Sequence, residues 1–132
     1  MKEEKPSEVI DKFLAYLEQC KSDYEENFTI VGEEDKRLQD MLHAIEFSPC
    51  KQDRNKVATK FQQSRKRRRR AKDKVLELEK IYGFCKDQSN RPALKKLKGV
   101  VASQRDTEAY LDGEREYRQR VGDNVGDNNN RR

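Results

Sequence analysis

Apolar positions recur along this chain at three- and four-residue steps, the spacing that puts them on one face of a helix. Pro6-Ser7 marks a helix start. From there Ile10, Phe13, Leu14, Leu17, Tyr24 and Phe28 form a stripe with acidic residues between them. "NFTIVG" interrupts it, and Gly32 is read as the punctuation between two helices. A second, shorter helix carries Leu38, Met41, Leu42 and Ile45 on one face, and Ser48-Pro49 ends it.

The third stretch is the most regular. Val57, Phe61, Ser64, Arg68, Ala71, Val75, Leu78, Tyr82 and Cys85 alternate four and three residues apart without a slip. A sustained 3.5-residue repeat predicts a coiled-coil seam. "DQSNRP" (87–92) supplies a turn and a fresh start at Pro92. Leu94, Leu97, Val101, Gln104, Glu108, Leu111, Arg115 and Arg118 then repeat the spacing. A short loop between two long periodic helices predicts antiparallel neighbours, about 51–86 and 92–121. Facing residues would then have numbers adding to about 179. Tyr82 would meet Leu97, Leu78 would meet Val101, and Arg68 would meet Leu111 near Glu108.

The expected fold class is therefore all-α: a long antiparallel coiled-coil hairpin with two shorter N-terminal helices, making a three- or four-helix bundle. It would be one domain over 1–121, an acidic helical pair (1–50) joined to a basic hairpin (51–121). The Gly/Asn-rich stretch 122–132 is expected to be a disordered tail.

Composition agrees with helices that bury one narrow stripe. Of 132 residues, 42% are charged, 33% hydrophobic, and none is Trp, which suits neither a sandwich nor a barrel. The net charge of +5 conceals an asymmetry. Residues 1–50 carry 6 basic against 13 acidic side chains, and residues 51–100 carry 18 against 5. No apolar run approaches the roughly 18 residues of a membrane span, and no apolar signal segment opens the chain. Cys20, Cys50 and Cys85 form no C-x-x-C pair and share the chain with one His, so a zinc site is not expected. Asp40, His43 and Glu46 lie at three-residue steps, with no second histidine to complete a ligand set. There is no P-loop, no glycine-rich dinucleotide loop, and no Cys–His or Ser–His pairing to nominate. The reading is non-enzymatic, with no cofactor and no metal.

"SRKRRRRAKDK" (64–74) is the feature that invites a function. Consecutive helical residues step by 100°, so six basic residues in a row cannot share a face. The expected seam turns Arg68 inward, sets Arg65 and Arg67 near Asp112 and Glu114, and leaves Lys66, Arg69 and Arg70 outward. Two readings compete. In one, the run is an intramolecular charge network with the acids of 106–116 or of the N-terminal half. In the other, Lys66, Arg69, Arg70, Lys72 and Lys74 contact phosphates of nucleic acid. The absence of an aromatic residue between Arg65 and Lys74 favours a duplex or structured RNA over a single strand. A bZIP basic region fits poorly, because the helix meets the "DQSNRP" turn within about two heptads. A nuclear localisation signal fits poorly as well, because the run sits mid-helix.

"LQDMLHAIE" (38–46), the run "RRRRAKDK" and "EYRQRV" (116–121) together resemble small helical proteins encoded by phages and prophages of Gram-positive bacteria, over roughly residues 35–121. That resemblance implies a bacterial cytoplasm and an accessory phage gene. Such proteins often act on nucleic-acid machinery, including as anti-CRISPR inhibitors. It carries over no site residue. The leading expectation is a basic helical face that binds nucleic acid or a nucleic-acid–protein complex. The alternatives are a protein-binding inhibitor of a host defence nuclease, engaged through the acidic front, and a homodimeric coiled-coil adaptor.

Overall fold

The computed structural model describes residues 3–114, and every regular element among them is helical. Helix α1 spans Pro6–Glu46, α2 spans Lys51–Lys86 and α3 spans Arg91–Asp112, with a single 3₁₀ turn, Gln88–Asn90, before α3. None of them is long and apolar enough to cross a membrane. Residues 115–121, and the tail at 122–132, lie outside the described residues.

The N-terminal half is one helix of 41 residues, not the expected pair. Pro6 occupies its first turn, and the backbone N–H of Lys5 donates to the Glu8 carboxylate at 2.7 Å, one arm of a capping box. Gly32 does not break it. A glycine inside a helix costs only about 1 kcal/mol relative to alanine, and the half-buried stripe runs through Asn27, Ile30 and Val31 to Glu34. The break falls instead at Phe47–Cys50, where Pro49 removes a backbone donor. A second break follows α2, where Asp87 accepts hydrogen bonds from the Ser89 backbone and hydroxyl.

The seam of α2 lies where its periodicity places it. Ser64, Ala71, Val75 and Leu78 are buried, and Val57, Phe61, Arg68, Tyr82 and Cys85 are half-buried. Its partner is different. The long hairpin is formed by α1 and α2, closed by the four-residue loop at 47–50, while α2 and α3 barely approach each other. Tyr82 stacks on Tyr24, with ring centroids 4.0 Å apart, and its hydroxyl donates to Glu25 at 3.1 Å. Ser64 donates to Glu34, thirty residues away. The expected pairs Tyr82–Leu97, Leu78–Val101 and Arg68–Leu111 are therefore replaced.

Helix α3 also packs against α1, nearer its N-terminus and again antiparallel. Val101 and Leu14 are the buried apolar residues of their respective stretches. Arg105 bonds Asp11 at 3.0 Å, and Lys5 pairs with Asp112. The backbone N–H of Ser7 donates to Glu108 at 3.0 Å, and its hydroxyl donates to the same carboxylate. Glu108 thus satisfies a first-turn donor of α1 from another helix, where a negative charge also suits the helix dipole. Helix α1 is a spine against which α2 and then α3 are laid in succession. Helix α3 stops at Asp112, short of the expected residue 121, with Gly113 donating back to the Ala109 and Tyr110 carbonyls. Leu111, assigned to the seam by spacing, is exposed.

Candidate nucleic-acid interface

The arginine run occupies the middle of α2, so its geometry follows from the α1–α2 pairing. Arg68 holds a half-buried seam position with the exposed Arg67 beside it, and α1 presents two adjacent acids to them. Arg67 bonds Glu34, and Arg68 bonds Asp35 at 2.6 Å. This corrects the expectation that Arg68 points toward Glu108 and Leu111. Among the described residues, no acid of 106–114 forms an ion pair with the run. Glu108 holds Ser7 and Gln104, and Asp112 holds Lys5.

Glu34 is the group that periodicity missed. It is 1% exposed, the one buried charged side chain among the described residues. Burial is the largest influence on its carboxyl and pushes its pKa up. The hydrogen bonds from Ser64 and Arg67, with the charges of Arg37 and Arg67, outweigh burial and leave the pKa below the usual value. Arg37 stands 3.7 Å from the same carboxylate. A charge buried in a helix seam is tolerated when its lone pairs are filled, as these are. The legible signal was Ser64, a polar residue at a core seam position.

The five basic residues singled out by sequence, Lys66, Arg69, Arg70, Lys72 and Lys74, are all exposed. They do not share one face. At 100° per residue, Lys66, Arg69 and Arg70 fall within an arc of about 100° opposite the seam, whereas Lys72 and Lys74 lie about 160° apart on its two flanks. Lys74 pairs with Glu77 at 2.9 Å. Among the described residues, Lys66, Arg69, Arg70 and Lys72 have no acidic side chain within ion-pair distance.

The remaining chemistry is sparse. His43 is exposed, and among the described residues no three His, Cys, Asp or Glu side chains gather as a metal site. Burial pushes the Cys85 thiol pKa up, which lowers its nucleophilic fraction at neutral pH. No protein-family model, curated protein or solved structure matches this chain.

Proposed function

We propose that this protein is a non-enzymatic helical module that binds the phosphate backbone of nucleic acid, as duplex or structured RNA, through the cations of α2. One observation carries the reading. Helix α1 has acids enough to neutralise the run, yet it engages only Arg67 and Arg68 of the six consecutive cations. Lys66, Arg69 and Arg70 face solvent with no acidic partner among the described residues. A helix face carrying several unpaired cations supports counterion-releasing, sequence-independent contact with phosphates.

Fluorescence anisotropy with duplex DNA, single-stranded DNA and structured RNA over a salt series tests this. The expected result is affinity that falls linearly with log salt, by about 0.9 per phosphate contacted on a duplex. No binding near 100 mM salt on the order of physiological strength, or binding flat in salt, overturns it.

A second reading, a protein-binding inhibitor or adaptor, is favoured by a different observation. Val9, Phe13 and Tyr16, at i, i+4 and i+7 on acidic α1, are each at least half exposed. Contiguous apolar surface of that kind suits a protein partner. It is the reading that survives if nucleic acid does not bind.

A further inference from the structure

The two flanks of α2 are not electrostatically equivalent. On one flank two depressions follow one another between α1 and α2. The first, about 490 Å³, lies over Glu34, between Arg37 and Met41 of α1 and Lys60 and Gln63 of α2. The second, about 350 Å³, lies between Asn27 and Ile30 of α1 and Arg70 and Lys74 of α2. Arg67 lines both, so they form one groove. Lys60, Gln63, Arg67, Arg70 and Lys74 succeed one another at three- and four-residue steps. At 1.5 Å per residue this is a straight line of donors about 21 Å long.

The α1 residues that line this groove are neutral or basic except for Glu34, whose carboxylate is already engaged by Ser64, Arg67 and Arg37, while at the far end Lys74 pairs with Glu77 of its own helix and feels the charge of Asp23 on α1. The opposite flank differs. There Arg68 is held by Asp35, and Glu25 lines the rim beside Tyr82 and Phe28. The groove is lined by Arg37, Lys60, Arg67, Arg70 and Lys74 against one carboxylate, the buried Glu34. Concave low-dielectric walls lined by one sign of charge concentrate a field that a flat face does not.

We infer that the groove on the Arg67 side, rather than the outward face as a whole, is the phosphate-binding channel. Lys60, Arg70 and Lys74 contact successive phosphates of one strand, and Gln63 and Asn27 supply neutral donors. Glu34 is a positioning residue that fixes Arg67 at the junction of the two depressions. This rests on the nucleic-acid reading above and narrows it to one side of one helix. It also replaces Lys66, Arg69 and Lys72 with Lys60 and Arg67 among the contacts.

The test compares two charge-matched triple variants of the full chain, K60Q/R70Q/K74Q on the groove side and R69Q/K72Q/K80Q on the other, using labelled duplex DNA and structured RNA. The groove variant should lower the slope of log affinity against log salt by about three, and the other by less than about one. Equal losses, or a larger loss in the second variant, overturn the channel while leaving nucleic-acid binding standing. Absence of salt-dependent binding in the unmodified protein overturns both. Lysine acetylation of the unmodified protein, with and without duplex, gives the same answer free of any folding effect. Lys60 and Lys74 should be protected and Lys72 and Lys80 should not, and the reverse pattern refutes the channel.

Discussion

Replacing Arg67 with methionine isolates the buried carboxylate. Methionine keeps most of the stem volume and removes the guanidinium that bonds Glu34. Breaking one side of a fully buried ion pair costs about 3–5 kcal/mol. Here Arg67 is 44% exposed, and Ser64 and Arg37 remain near Glu34, so the cost falls to about 1–3 kcal/mol. For a domain of this size that lowers the melting temperature by roughly 4–12 °C at neutral pH. The pH dependence supplies the sharper signature. In the unmodified protein the Glu34 pKa is lowered, so its stabilisation is present above the unfolded value of about 4.3 and is lost as pH falls through the lower folded value. Without Arg67, burial loses one of the groups that oppose it, and the folded pKa rises. The variant then keeps less of this stabilisation at neutral pH. The gap in melting temperature should be widest near neutrality and should close as pH falls through the lowered value of the unmodified protein. Glu34→Leu with Ser64→Ala should melt at or above the unmodified protein, because an apolar seam replaces a desolvated charge. Calorimetry of all three proteins over a pH series checks this. An Arg67→Met protein that melts normally at pH 7, or a gap that does not change with pH, refutes the buried-carboxylate argument.

The fragment 51–121 contains α2 and α3 without their shared partner, so it should show little helicity and no cooperative melt by circular dichroism. A cooperative transition would restore the α2–α3 hairpin. Gly32→Ala should stabilise by about 0.5–1 kcal/mol in denaturant titration, since a Cβ there meets nothing within 4 Å. A loss of stability would mean that α1 bends or breaks at this position. Glu108→Gln should speed amide exchange in the first turn of α1 while leaving the centre of α2 unchanged, because the Ser7 bonds hold its carboxyl below the usual pKa and cap α1. In the unmodified protein the same acceleration should appear as pH falls through that depressed value.

What could be read from the sequence divides along a physical line. A heptad stripe states which face of a helix is buried, so every assigned seam position of α2, from Val57 to Cys85, is buried or half-buried. It does not state what covers that face. Apolar stripes are mutually compatible, and two short loops, 47–50 and 87–90, each offered a hairpin. The one decisive hint is polar. If the loop at 47–50 closes the hairpin, Ser64 falls opposite Glu34, and that pair fixes register more sharply than any two leucines. Gly32 misled because the conformational cost of one glycine is about 1 kcal/mol, against a stripe continuing on both sides of it. The spread of Lys72 and Lys74 to opposite flanks was computable from helix geometry alone. The groove was not, because Arg37, Asn27 and Ile30 enter it from another helix.

The α1–α2 pairing also bears on why the run exists. Exposed ion pairs such as Arg105–Asp11 contribute roughly 0–1 kcal/mol each. A pair of arginines would suffice to meet Glu34 and Asp35. The cations beyond those two act against the helix. Arg65 and Arg69, Lys66 and Arg70, and Arg70 and Lys74 are like-charged i, i+4 neighbours. Each such pair destabilises a helix by about 0.2–0.5 kcal/mol. Arginine and lysine have good helix propensity, but so do glutamate and glutamine, which would have relieved the repulsion at no cost in propensity. Stability alone therefore does not account for Lys66, Arg69 and Arg70 beside one another. The phosphate contact proposed above would bear on it, because a phosphate placed between Arg70 and Lys74 would turn a repulsive pair into a shared contact and release the counterions that otherwise screen it.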